Sequence, residues 1–200
     1  AQRREIVDAG AAVATATADK DGKWKVSLPA FKTPGAGYTL SVKGTGTPVT
    51  LKNVLVGDVW LCSGQSNMEW KLNQLGKEDQ GKKVAAAAEN PNIRLFSVPN
   101  RPSAVPESTF PVTAAEGKWL ECKPETVINF SAVGYFFGRD LQKALNVPVG
   151  LIHTSWGGTA AEAWTSAETL KADPNLKYMQ ERFAKAMEGF TPEVEKKNKE

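Results

Sequence analysis

The run Val54-Leu55-Val56-Gly57-Asp58-Val59-Trp60-Leu61-Cys62 is the strongest constraint on the fold. It is nearly continuous in apolar residues where a half-exposed strand would alternate, and such runs suit strands covered on both faces. Ile93-Arg94-Leu95-Phe96-Ser97-Val98 and Val149-Gly150-Leu151-Ile152-His153-Thr154 read as two more strands. Between them, residues 82–89 are alanine-rich and close at Asn90-Pro91-Asn92, which predicts a helix. Ser131 caps a second predicted helix through Leu145, with Val133, Phe136, Phe137, Leu141 and Leu145 gathered on one side. This alternation of strand and helix predicts a parallel sheet covered by helices, with functional groups at the carboxyl ends of the strands.

Residues 1–53 have a different texture. Lys23-Trp24-Lys25-Val26-Ser27-Leu28 and Tyr38-Thr39-Leu40-Ser41-Val42-Lys43 alternate polar and apolar residues, and Thr47 to Lys52 reads as a third strand. Asp21-Gly22 and Pro34-Gly35-Ala36-Gly37 mark turns. The expectation is a small β-sandwich-like module over 1–53, truncated at its start, followed by a second domain over 54–200. Within the latter, residues 99–116 read as a long surface loop. A weaker helix is expected over 166–171, and the helically spaced Tyr178, Met179, Arg182, Phe183, Ala186, Met187 and Phe190 read as core packing, with an interaction helix as the rival reading. Residues 191–200 are charged and nearly featureless.

Composition excludes several classes of function. Of the 200 residues, 41% are hydrophobic and 24% charged, which rules out disordered and collagen-like chains. A net charge of +3 with basic and acidic residues interspersed gives no support to nucleic-acid or membrane-surface binding. No apolar run approaches the roughly 20 residues of a membrane helix, and the first residues carry no secretory-signal core. Cys62 and Cys122 are the two cysteines, wrongly spaced for a structural zinc site. They read either as a disulfide or as two buried thiols.

The chemistry centres on Ser63-Gly64-Gln65-Ser66-Asn67-Met68-Glu69, where the first strand meets helix-compatible residues. Gly64-x-Ser66 reads either as a capped turn or as a nucleophile mount; a sharp strand-to-helix turn exposes and fixes a serine hydroxyl. The N–H groups of Ser66 and Asn67 then face the serine oxygen, where acyl transfer develops negative charge. Gly157-Gly158, after the third strand, either permits a tight backbone path or lets an N–H approach that charge. His153 is the single histidine, read as a packed strand residue or as a base. Glu162 and Trp164 either line a pocket or cap and pack the next helix.

Gly57 to Trp70, together with Pro148 to Thr159 and Glu162-Ala163-Trp164, resembles the sialate O-acetylesterase family of SGNH-type carbohydrate esterases. The resemblance covers 54–200 most strongly. It implies an α/β fold: a three-layer flavodoxin-like hydrolase core, incomplete here, preceded by the small β-rich module. The implied activity is removal of O-acetyl groups from sialic acids or related glycans, without metal or organic cofactor. Alternatives are an acetylxylan-type esterase or a non-catalytic glycan-binding protein. Ser66 falls on the family nucleophile, and Gly157 or Gly158 on an oxyanion donor; Gln65, Asn67 and Glu162 are the other candidate substrate-binding residues. The family's Gln-Gly-Glu and Asp-x-x-His blocks do not occur in this sequence. The chain is therefore expected to be the amino-terminal portion of an esterase, inactive alone and completed by further sequence or by a second chain. Family habit implies a periplasmic or secreted location.

Overall fold

The computed structural model describes residues 3–8, 11–29, 35–76, 79–101, 107–191 and 194. Two four-stranded sheets organise them. The first is antiparallel, built from β1 (Arg3–Asp8), β2 (Ala11–Thr17), β3 (Gly35–Lys43) and β4 (Val49–Val56), in the order β2-β1-β3-β4. Two expectations change here. Residues 3–17, which carried no clean strand signal, form two strands, whereas residues 23–28 form none. Alternation provides a two-faced segment but no hydrogen-bond partner, and both sides of β1 are taken by β2 and β3.

The continuous run from Val54 is divided at Gly57. β4 ends at Val56, and β5 (Asp58–Gly64) opens the second sheet. A Cβ on Gly57 would fall 2.0 Å from the Pro148 carbonyl oxygen, so the chain passes this point only as glycine. Asn53 ties the sheets together, donating to Glu121 and accepting from Arg94 Nη2 at 2.9 Å.

The second sheet adds β6 (Asn90–Ser97), β7 (Trp119–Cys122) and β8 (Val149–Ser155), in the order β5-β8-β6-β7. β5, β8 and β6 are parallel, and β7 is an antiparallel edge that sequence reading did not anticipate. Helices α1 (Ser66–Glu69), α2 (Gln80–Ala86), α3 (Pro124–Val127), α4 (Ala132–Leu145), α5 (Ala167–Ala172) and α6 (Lys177–Met187) complete the elements used below. This is the α/β core expected.

β8 is its centre, with every second residue from Val149 to Ser155 buried. Val149 and Leu151 share one core with Ile93 and Leu95 from β6, Ala85 from α2, Val127 from α3 and Tyr135 from α4. Burying each large aliphatic side chain contributes roughly 1.5–3 kcal/mol. Helix α4 begins where expected: Ser131 Oγ accepts from the Gly134 N–H at 3.1 Å, and Asn146 ends the helix at φ 53°. Its buried face matches the expected one only in part: Phe136 and Leu141 pack against the core. Ala132, Gly134, Tyr135, Gly138 and Gln142 face inward, while Val133, Phe137 and Leu145 are exposed. Small residues win because they let the helix axis approach β8 closely. No residue of α6 is buried, so Tyr178 and Phe183 lie exposed rather than in a core.

Among the described residues β5 is paired on one side only. Val59 is 62% and Leu61 66% exposed, so the strand predicted to be covered on both faces is covered on one. No described helix is long and apolar enough to cross a membrane.

Candidate active site

The register of β5 against β8 builds the site. Cys62 pairs with His153 and Gly64 with Ser155, so the chain leaves both strands at the same end. Two residues further along each strand lie Ser66 and Gly157. Trp156 N donates to the Gly64 carbonyl at 3.1 Å and holds the two exits together.

Gly64 turns the chain at φ 150°, a conformation open to glycine, and α1 starts at once with Ser66. Gln65 is the N-cap residue but offers no side-chain cap. Its Nε2 instead donates to the Thr159 carbonyl. The Ser66 and Asn67 N–H groups therefore have no acceptor among the described residues, as orphan donors of a first helical turn. Both residues are exposed.

The Gly157 loop presses on this turn. A Cβ at Gly157 would lie 3.2 Å from Ser66 Oγ and 2.4 Å from Glu69 Oε2. The Gly157 N–H donates to Glu69 Oε2 at 2.7 Å, the length of a charge-assisted bond. Gly158, at φ 76°, faces open space. Thr159 closes the loop, donating to the Trp156 carbonyl at 2.6 Å and accepting from Trp164 Nε1 at 2.8 Å. Trp164 thus braces the loop. Glu162 is paired with Arg182 of α6 and lines neither cavity beside Ser66.

Those cavities meet at Glu69 and Lys71. One, of about 260 Å³, is lined by Ser66, Glu69, Trp70, Lys71 and Gln74. The other, of about 390 Å³, runs past Glu69 to Asn129, Phe130, His153 and Ser155. His153 is buried, its Nε2 2.6 Å from Ser155 Oγ and its ring edge-on to Phe130. Burial lowers its pKa below the ordinary value, opposed by a hydrogen bond with the Met68 backbone and by the Glu69 charge. The ring thereby braces α1 from beneath.

The structure accordingly brings Ser66, Asn67, Gln65, Gly157 and Gly158 together and leaves Glu162 committed elsewhere. Glu69 is the neighbour that motif reading did not single out. Its position three residues after Ser66, one helical turn along the same face, was the available signal. Both cysteines are free and buried, which decides between the two alternatives left by their spacing. Among the described residues no three His, Cys, Asp or Glu side chains are grouped to hold a metal ion.

Comparison with known proteins follows the same outline. Residues 56–194 match the family model of carbohydrate esterases described as sialic acid-specific acetylesterase. The chain is 35% identical over 166 residues to a sialate O-acetylesterase of Mus musculus, covering 79% of this chain and 30% of the relative. It is 36% identical over 158 residues to the Homo sapiens sialate O-acetylesterase, covering 74% and 29%. It thus spans about 30% of the length of the curated relatives it matches. A crystal structure of a carbohydrate acetylesterase from Xanthomonas citri superposes with a TM-score of 0.75 at 35% identity, over 88% of this chain and 38% of that one. With a family match over most of its length and the Ser66 turn set against the Gly157 loop, the chain belongs to the sialic acid-specific acetylesterase family of carbohydrate esterases.

Proposed function

We propose that the chain carries the nucleophile half of a serine esterase that removes O-acetyl groups from sialic acids or related acetylated glycans. The observation that carries this reading is the approach of the Gly157 loop to Ser66 Oγ at the carboxyl ends of two paired parallel strands. Ser66 Oγ attacks the acetyl carbonyl carbon, its proton passes to a base, and the carbonyl electrons move onto oxygen. The N–H groups of Ser66 and Asn67 and the glycine loop hold that oxyanion. Collapse breaks the bond to the sugar oxygen, which takes the proton from the base and departs as the hydroxyl, leaving an acetyl-enzyme. Water then attacks the acetyl group by the same route and releases acetate. No step draws on a metal or an organic cofactor.

His153 is paired with Ser155 and buried, so the base is assigned elsewhere, to further polypeptide of the enzyme or a second chain. The greater length of the relatives, and an edge of β5 without a partner strand among the described residues, support that assignment. A site lacking its base loses several powers of ten in rate, so the 200 residues alone are expected to release little acetate. A periplasmic or secreted location is proposed on family habit, as the setting in which acetylated glycans are met.

The test starts from the native polypeptide, its intact mass and any co-purifying chain. Acetate release is then measured on O-acetylated sialic acid and on acetylated xylan. Wild type is expected to prefer the sialic acid ester, and Ser66→Ala to lose at least about a thousandfold in rate. Undiminished turnover in Ser66→Ala would overturn the nucleophile assignment. A clear xylan preference would move the substrate to that glycan.

A further inference from the structure

We propose that Glu69 is a positioning residue that fixes the glycine loop against the nucleophile turn, and that it thereby removes the Gly157 N–H from the oxyanion-binding set. The importance of this clamp for catalysis rests on the esterase reading; its existence does not.

Helix α1 has four residues and no side-chain cap. So short a helix does not hold its own shape, and its geometry is imposed by neighbours. Glu69 lies one turn from Ser66 on the same face, and its carboxylate reaches across to the β8 exit loop at 2.7 Å. The link joins the two segments whose spacing sets the site. On the loop side, the space that a Gly157 Cβ would need is bounded by Glu69 Oε2 and Ser66 Oγ together. Clamp and nucleophile therefore share one small volume.

A donor already held by a carboxylate is a poor donor to a second anion, because the two negative charges would converge on one proton. That leaves the Ser66 and Asn67 N–H groups, which have no acceptor among the described residues. It also selects between the two glycines. Gly158 is the loop's remaining donor, since its N–H has no acceptor among the described residues.

The test is nitrogen-15 NMR of the native polypeptide, with any co-purifying chain, glycine and serine labelled, following the Gly157 and Ser66 amides. In wild type the Gly157 proton is expected downfield and slow to exchange. Glu69→Ala should move it upfield by at least about 0.5 ppm, raise its exchange rate tenfold or more, and shift the Ser66 amide, leaving Gly138 in place. Glu69→Gln keeps a neutral acceptor and should restore most of both effects, and it carries the test if Glu69→Ala does not fold. An unmoved Gly157 amide in Glu69→Ala, or in Glu69→Gln an amide indistinguishable from solvent-exposed glycine, overturns the clamp. If Ser66→Ala leaves acetate release intact while the amide behaves as expected, the esterase reading fails and the clamp stands.

Discussion

Nε2 of His153 lies 2.6 Å from Oγ of Ser155, both buried at the carboxyl end of β8. Burial is the largest influence on this ring and holds its pKa below the unfolded value near 6.5. Below that value the unfolded chain binds a proton that the folded chain refuses. Stability is therefore full above about pH 6.5 and falls as pH drops from there toward the folded pKa. His153 is the single histidine, and carboxylates titrate mainly below about pH 5. Between pH 5 and 6.5 the fall in Tm is accordingly expected to belong to His153. His153→Gln should flatten that segment of the profile; an unchanged slope would remove His153 as its cause.

Gly157 and Gly158 are adjacent but should respond to alanine for different reasons. At 157 the obstacle is space, since the new Cβ would meet the Glu69 carboxylate at 2.4 Å and Ser66 Oγ at 3.2 Å. The Glu69 side chain can swing away, so Gly157→Ala is expected to lower Tm little while moving the Ser66 amide. At 158 nothing obstructs a Cβ, but φ 76° is left-handed and costs an L-residue about 1–2 kcal/mol. Gly158→Ala should lose about that much in urea unfolding and leave the Ser66 amide where it is. The reverse pattern would contradict the assignment of the two glycines.

Helix α4 depends on Gly138 for its approach to β8. An added Cβ would lie 2.5, 2.8 and 3.0 Å from Cδ1, Cδ2 and Cγ of Leu151, which is fully buried. Overpacking of this kind typically costs about 1–3 kcal/mol. Gly138→Ala should lower the urea midpoint with an unchanged m-value. Pairing it with Leu151→Val, which removes bulk at the same contact, should cost less than the sum of the two single changes. Simple additivity would mean that the helix moves away rather than pressing on Leu151.

These contacts mark the limit of what could be read from residues alone. The strand-helix alternation was legible because buried runs, the Ser131 cap and the Asn146-Val147-Pro148 stop are local signals. The buried face of α4 was legible only through Phe136 and Leu141. Hydrophobic spacing favoured Val133 and Phe137 as well, and only the proximity of Cys62 and Phe130 to Gly134, and of Leu151 to Gly138, turns the two glycines inward. β7 escaped notice because four residues after a long loop carry too little pattern, and it exists by pairing with β6. At the site, Ser66 and the glycine pair were visible as turn chemistry. The Glu69 to Gly157 bond spans 88 residues and arises from the register of β5 against β8.

Cys122 and Cys62 should resist modification in the folded chain. Cys122 is 1% exposed, its Sγ donates to the Ala88 carbonyl at 3.1 Å, and burial pushes its pKa up to about 12. Burial also raises the pKa of Cys62, which is 5% exposed. The thiolate is the reacting species, so at pH 8 both groups combine a small ionised fraction with poor access. Reaction with a thiol-specific disulfide reagent should be slow in buffer and should reach two thiols per chain only in denaturant. Titration without prior reduction makes the measurement decisive. Two thiols released by unfolding alone confirm the free state, whereas none would contradict the sheet order, since β8 and β6 separate Cys62 on β5 from Cys122 on β7 by three strand spacings, about 14 Å, beyond the reach of a disulfide.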